Sequence, residues 1–248
     1  MQRSAPRPSR SRTRTRLRML ACAAVPVMIV AAGCSSDSGS DSDSNSGGGK
    51  DKPAASASKE AAKVAPAKFT SLPADPCKSI AAKTTADLVP KAKDKSGSAG
   101  KSSDITTRGS CSWNGLDDNG VKGSQYRWLD ISFMRYDSDE GIGSGQDRAA
   151  EYYKKEVAKA RATEGAKGTK AAPAAGVGTE ATAVTYSLSK TGETFGYATV
   201  VARSENVVIT LTYNGAGYAG AKSPAASDLV KGATKAAKEA VAAVPAAK

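Results

Sequence analysis

The clearest pattern in the chain is an alternation of apolar and polar residues over three segments, 182–189, 194–203 and 206–214. A period of two residues is typical of a β-strand that buries one face, because successive side chains point to opposite sides of the sheet. Turn-forming residues at 190–192 and 204–206 separate the segments. The three segments therefore predict an antiparallel meander with one apolar face and one face of small polar residues.

Helical spacing replaces this alternation in two other segments. In residues 146–161 the apolar side chains recur every three or four positions, and basic side chains cover the opposite side. The same spacing runs from Ser223 to Pro245, where proline ends the predicted helix. Asp75-Pro76 predicts a further helix start, because aspartate caps a helix and proline fits its first position.

Two more strands complete the predicted domain. Residues 126–136 are rich in aromatic and β-branched side chains, and they form a predicted hairpin with a strand through Cys111 and Trp113. The resulting element order is α-β-β-α-β-β-β-α. This order is typical of an α+β domain with a mainly antiparallel sheet of about five strands and helices packed against it.

Composition divides the chain into three parts. All thirteen aromatic residues lie from Phe69 onward, and residues 35–68 offer nothing that could form a core. We therefore predict a single extracytoplasmic domain at 69–248. It follows a lipidated cysteine and disordered linker at 34–68 and a lipoprotein signal peptide at 1–33.

The predicted signal peptide ends immediately before a cysteine. Residues 1–18 contain seven arginines and no acidic residue, and residues 19–32 are uncharged, which is the layout of a secretory signal. The tetrapeptide Ala31-Ala32-Gly33-Cys34 resembles the bacterial lipobox, which implies cleavage before Cys34 and its acylation, for example with palmitate. Acyl chains hold a protein on a membrane without a spanning helix. We expect the domain to be anchored at the extracytoplasmic face of the cell membrane.

Two cysteines remain after the signal peptide and the lipid attachment site, Cys77 and Cys111. An even pair in an exported domain predicts a structural disulfide. The alternative is a redox dithiol, which usually has C-x-x-C spacing, and neither cysteine lies in such a motif.

Charge and export argue against nucleic acid as a partner. The net charge of the chain is +12, and removal of the seven signal-peptide arginines leaves +5. This is a mildly basic mature protein, too weakly charged for a nucleic-acid binder.

The chain resembles an actinobacterial lipoprotein family known only as a domain of unknown function. The similarity lies in the lipobox, in Asp75-Pro76-Cys77 at a helix start, in Cys111-Ser112-Trp113 on a strand and in the glycine-rich stretch 176–181. The resemblance implies a Cys77–Cys111 disulfide and a cell-envelope location, and it supplies no catalytic residues. The layout is also similar to Mog1/PsbP-like sandwiches, which is an analogy of fold alone.

The sequence lacks the residues of most catalytic and cofactor sites. It has no histidine and no phosphate-binding loop, which excludes histidine-based triads and most zinc sites. Asp137 begins an acidic run that resembles a calcium loop, but Ile142 and Arg148 replace the glycine and the glutamate that such a loop needs. We expect no metal and no cofactor.

Two functions remain open. The first is a non-catalytic binding, sensing or accessory module of the cell envelope, whose partner is an envelope protein or a glycolipid. The alternative is a hydrolase of cell-wall polymers that uses a pair of carboxylates, with Asp130 as one of them. Trp113 and Trp128 are either core residues or a platform for sugar rings.

We favour the non-catalytic module and place its candidate binding site on the polar face of the meander. Small hydroxyls can both donate and accept hydrogen bonds, although β propensity alone is an alternative reason for them. The residues predicted to share this face are Thr185, Ser187, Ser189, Thr210 and Thr212.

Overall fold

A computed structural model of the chain describes residues 63–244. The predicted signal peptide 1–33, the predicted lipidation site Cys34 and most of the predicted linker lie outside the described residues.

The described residues form an antiparallel sheet of seven strands. Its order is β1-β2-β3-β7-β6-β5-β4, and every neighbouring pair is antiparallel. The strands are β1 (Ser98–Ala99), β2 (Arg108–Asp117), β3 (Ser124–Arg135), β4 (Lys167–Pro173), β5 (Glu180–Lys190), β6 (Glu193–Ser204) and β7 (Val207–Tyr218).

Three α-helices of the described part of the chain pack on the sheet. They are α1 (Ala82–Leu88), α2 (Gly145–Arg161) and α3 (Ala226–Ala242), and short 3-10 turns occupy Pro76–Lys78 and Gly120–Lys122. Helices α1 and α3 lie on one side of the sheet, here called the α3 face, and α2 lies on the other, the α2 face. None of the helices within residues 63–244 is long and apolar enough to span a membrane.

The main core lies between α3 and the sheet. Ile209 and Leu211 of β7 and Ile131 of β3 are fully buried there against Leu229 and a stripe of alanines on α3. Each large side chain contributes roughly 1.5–3 kcal/mol of transfer free energy. The alanines bring the helix axis close to the strands, since they place little volume between the two.

Helix α2 begins with a serine cap. Ser144 is the N-cap, and its hydroxyl oxygen accepts a hydrogen bond from the amide of Asp147 at 3.0 Å. The Asp147 carboxylate also lies in the first turn, where the helix dipole favours negative charge. Ala149 and Tyr153 then face the sheet and pack on Val201 and Val208.

A disulfide links Cys77 of the first 3-10 turn to Cys111 of β2, in agreement with the predicted pairing. Trp113, two residues further along β2, is buried in the same core cluster. Gly97 lies against both: a Cβ at this position would fall 2.6 Å from the Cys111 sulfur and 2.6 Å from the Trp113 indole nitrogen. Its positive φ of 81° also favours glycine.

The α+β class and the antiparallel sheet are as predicted, but the predicted count of about five strands is wrong. The structure adds β1 and β4 at the two edges, so four strands follow α2 and three precede it. Both additions lie in exposed sequence. β1 has two residues, and β4 has no buried residue and no apolar alternation. The similarity to Mog1/PsbP-like sandwiches stays a prediction.

Candidate binding site on the sheet

The five hydroxyl residues predicted to share a binding face are divided between the two faces of the sheet. The three from β5 lie on the α3 face. Thr185 pairs with Ala198, which is buried in the core below α3, and directly paired residues share a face. Ser187 and Ser189 follow by alternation along the strand.

The two hydroxyl residues from β7, Thr210 and Thr212, lie on the α2 face. Thr212 pairs with Thr199 of β6, and their hydroxyl oxygens are 3.2 Å apart. Thr199 in turn pairs with Val184 rather than with Thr185. The prediction of a single hydroxyl face is therefore wrong.

The turn between β6 and β7 accounts for this error. Because the β5–β6 loop contains two residues, 191 and 192, a common polar face requires an odd number of residues in the β6–β7 turn, such as the predicted three at 204–206. In the structure Ser204 pairs with Val207, so the loop contains only Glu205 and Asn206. A one-residue change in register exchanges the two faces of a strand.

In the strand register of the structure, two rows of side chains cross the α2 face at right angles to the strands. The first, the amide–aromatic row, runs over β2, β3, β7, β6 and β5. Each of its members is the direct pairing partner of the next one. The amide–aromatic row consists of Asn114, Trp128, Asn214, Tyr197 and Tyr186.

The second row lies next to the first and nearer to α2, two residues away along each strand. It is here called the hydroxyl row, and it consists of Ser112, Asp130, Thr212 and Thr199. Helix α2 packs beyond this row, on Val201 and Val208. The amide–aromatic row is open enough that Trp128 is 37% exposed.

A pocket of about 430 Å³ lies at the amide–aromatic row. Its walls are mostly aromatic: Tyr197 stacks on Tyr186 with ring centroids 4.9 Å apart, and Phe195 meets Tyr126 edge to face at 5.9 Å. Burial raises the pKa of Tyr126, with smaller contributions from neighbouring tyrosines. The pocket is lined by Tyr126, Trp128, Lys190, Thr191, Phe195, Tyr197 and Asn214.

A second pocket, of about 380 Å³, lies on the α2 side of the hydroxyl row. Ser110, Ser132 and Thr210 form its floor, and Arg108 and Tyr152 form part of its wall. The pKa of Tyr152 is raised to about 12, first by burial and then by Glu156. This tyrosine therefore stays a neutral hydrogen-bonding group at physiological pH.

Asp130 occupies the middle of the hydroxyl row with Ser112 on one side and Thr212 on the other. Its side chain is half-buried, and burial raises the pKa of its carboxyl group above the ordinary value. No hydrogen bond or charge from the described residues contributes to this shift. A half-buried carboxylate without a partner is available to a ligand.

Asn214 provides the second available polar group. The residue is 8% exposed and lines the aromatic pocket. Within residues 63–244 its amide forms no side-chain hydrogen bond. An amide can donate and accept at the same time, so Asn214 and Asp130 together can serve both donors and acceptors of a ligand.

The two tryptophans lie on opposite faces, which excludes a platform made from both. Trp113 is 2% exposed in the core of the α3 face, and its indole N–H has no hydrogen-bond partner among the described residues. Trp128 alone is available on the α2 face. The core interpretation therefore applies to Trp113, and the platform interpretation can apply only to Trp128.

The acidic run after β3 forms a turn. Asp137 pairs with Arg135, and the Asp139 carboxylate accepts a hydrogen bond from the Gly141 amide at 2.8 Å. Among residues 63–244 no cluster of three or more acidic or cysteine side chains could hold a metal ion.

Several residues of the rows were not predicted as site residues. Asn114, Asn214 and the Tyr186–Tyr197 stack lie on four different strands, and only the strand register brings them together. One feature of the sequence did point to this face: Trp128 and Asp130 are two residues apart on a predicted strand and therefore lie on the same side of it. Its pairing partners could not be read from the sequence.

Searches against protein-family models and against curated proteins find no match to the chain. Among solved structures, the chain is similar to the crystal structure of LpqN, which is involved in cell envelope biogenesis of Mycobacterium tuberculosis. The identity is 17%, the TM-score is 0.30, and the similarity covers 52% of this chain and 68% of the LpqN chain.

Proposed function

We propose that this chain is a non-catalytic lipoprotein of the cell envelope that binds a partner on the α2 face, at the amide–aromatic and hydroxyl rows. One observation carries the proposal. Asp130 and Asn214 present polar groups without partners among the described residues, beside the exposed ring of Trp128. A mostly apolar pocket with a few convergent polar groups is the usual form of a binding site.

The cellular location in this proposal is inferred from the sequence. The arginine-rich segment, the uncharged run and the Ala31-Ala32-Gly33-Cys34 sequence support export and lipid attachment at Cys34. The domain would then face outward from the membrane, joined to it through the Ser-, Gly- and Ala-rich linker sequence. The partners accessible there are other envelope proteins and glycolipids.

The alternative function, a carboxylate-dependent hydrolase of wall polymers, requires a second acid about 5 to 9 Å from Asp130. In the part of the chain that the structure describes, Asp130 is the only carboxylate in the two rows. Binding without turnover is therefore the function we propose.

The test combines retention with a measurement of turnover. The chain with Cys34→Ala, which cannot carry an acyl anchor, is mixed with envelope membranes and with peptidoglycan sacculi, and co-sedimentation and newly formed reducing ends are both measured. We expect retention by one of the fractions and no reducing ends. Trp128→Lys and Thr212→Lys each introduce a charged, extended side chain into a row and should abolish retention.

Ile105→Lys is the matched control, because Ile105 is 78% exposed and lies outside both rows. Circular dichroism checks the fold of each variant, and Trp128→Lys alone suffices if Thr212→Lys does not fold. Retention that Trp128→Lys leaves unchanged would contradict the proposed site. Reducing ends that form with the wild type and not with Asp130→Asn would identify a hydrolase.

A further inference from the structure

The amide–aromatic row is long in one direction and narrow in the other. It crosses five strands, from Asn114 on β2 to Tyr186 on β5. Neighbouring strands lie about 4.8 Å apart, so the four intervals span roughly 19 Å. This length suits an extended chain of several small rings better than a single compact molecule.

Trp128 is the exposed aromatic group of the row. Tyr197, two strands away across Asn214, is 9% exposed, with Tyr186 stacked on its ring and the Lys190 ammonium group over it. Aromatic side chains combine a large apolar surface with polar edges. A pyranose ring is complementary to this surface, because its C–H groups form an apolar face and its hydroxyls project around the rim.

The polar groups of the rows stand where such hydroxyls would be. Asn214 lies between Trp128 and Tyr197 within the row, and Asp130 lies one alternating position from Trp128 on the same strand. The amide offers a donor and an acceptor, and the carboxylate accepts from two donors at once. Neighbouring hydroxyls on a ring supply both kinds of partner.

The charges around the rows disfavour an anionic ligand. Asp130 places a carboxylate at the middle of the hydroxyl row, where it repels negative groups. The ammonium group of Lys190 lines the same pocket, but it already lies over the Tyr197 ring, 5.4 Å from the centroid. With one carboxylate and one ammonium group beside the rows, net charge favours neither an anionic nor a cationic ligand, which suits an uncharged one.

We infer, on the basis of the proposed binding function, that the amide–aromatic and hydroxyl rows bind a neutral oligosaccharide. Trp128 stacks on one sugar ring, and Asn214 and Asp130 form hydrogen bonds with the hydroxyls of that ring. The oligosaccharide lies across the strands, along the amide–aromatic row.

The two tryptophans of the chain make the binding measurable without a label. Trp128 is exposed on the α2 face, whereas Trp113 is buried on the α3 face and acts as an internal reference. The full chain is titrated with cellotetraose, maltotetraose and tetra-N-acetylchitotetraose, and acrylamide quenching of the fluorescence is followed. We expect one of these uncharged probes to protect Trp128 from acrylamide in a saturable manner.

Three variants assign the contacts, with affinity measured by isothermal titration calorimetry. Trp128→Ala should weaken binding of the active probe by at least tenfold, which is about 1.4 kcal/mol at 25 °C. Asn214→Ala should weaken it to a similar extent. Ile105→Ala removes an exposed apolar side chain outside the rows and should leave the affinity unchanged.

Three results would overturn the inference. If none of the probes binds while Trp128→Lys still abolishes retention by the envelope fractions, the proposed function stands and the neutral oligosaccharide is wrong. Binding that Trp128→Ala leaves unchanged would place the saccharide elsewhere. Protection of Trp128 by dodecyl maltoside but not by maltotetraose would indicate an acyl chain as the ligand of the row.

Discussion

At the scale of single residues, Asp130 is a half-buried carboxyl group on the α2 face without a charged neighbour. Its carboxyl group lies between Ser112 and Thr212, and burial raises its pKa without compensation from a neighbouring charge. A group of this kind destabilises the folded state when it is ionised. Asp118 is the opposite case, since hydrogen bonds from Gly120 and Ser124 lower its pKa.

We predict that Asp130→Asn stabilises the protein at neutral pH. A raised carboxyl pKa means that the folded state binds protons more readily than the unfolded state. The free energy of unfolding therefore falls as pH rises through the ordinary pKa of 3.8 and the higher folded value. Thermal unfolding at pH 7 should show a higher midpoint for the variant, and the gain should disappear below pH 3.8.

Asp118→Asn is the control for this experiment, because the pKa of Asp118 is shifted in the other direction and the substitution should give no gain at pH 7. A lower midpoint for Asp130→Asn at pH 7 would show that the ionised carboxylate has a stabilising partner, and it would contradict an available group at this site.

At the scale of elements, α1 depends on a distant helix for its cap. Its N-cap residue is Ala81, which has no polar side chain. The Glu239 carboxylate of α3 takes this role: it accepts hydrogen bonds from the Ala81 amide at 2.9 Å and from the Thr84 hydroxyl at 2.7 Å. The negative charge also lies at the favourable end of the α1 dipole.

We predict that Glu239→Ala lowers the free energy of unfolding by about 1 kcal/mol, the usual loss when a helix cap is removed. Urea unfolding measures the loss, and hydrogen exchange should be faster at the amides of α1. Glu239→Gln keeps an acceptor oxygen and should lose less. Unchanged protection of the Thr85 amide, which donates to the Ala81 carbonyl, would show that α1 does not need this cap.

The elements also show which parts of the fold a single sequence determines. The apolar periods of α2, α3 and the meander strands predict these elements to within a few residues, because each buries a continuous stripe or face. The same reasoning does not predict β4. It is an exposed edge strand that pairs only with β5, so no burial pattern marks it.

The site could not be predicted to the same extent, because a row across a sheet depends on register. Alternation shows that Thr210 and Thr212 share a face of β7, but it does not show which residues of β5 lie on that face. The two-residue loop at Glu205 and Asn206 decides this question. Local polarity alone placed Thr185 on the wrong side of the sheet.

At the scale of the whole molecule, the disulfide joins the N-terminal 3-10 turn to the sheet, between residues 34 positions apart. For a closed loop of this size the chain-entropy model gives a stabilisation of about 3 to 4 kcal/mol. We predict that reduction lowers the free energy of unfolding by this amount. Mass spectrometry of a non-reduced digest should recover Cys77 and Cys111 in one linked peptide, whereas alkylation of both thiols without reductant would contradict the bridge.

The last prediction concerns how the molecule is held at its site of action. If Cys34 is acylated, the apolar chains anchor the protein to the membrane, because each buried methylene contributes about 0.8 kcal/mol. Cells grown with a labelled fatty acid should therefore yield labelled protein in the membrane fraction. Cys34→Ala should lose both the label and membrane attachment, whereas Cys22→Ala, which changes a cysteine of the predicted signal peptide, should lose neither. Label or membrane attachment that survives Cys34→Ala would show that the protein is held in another way.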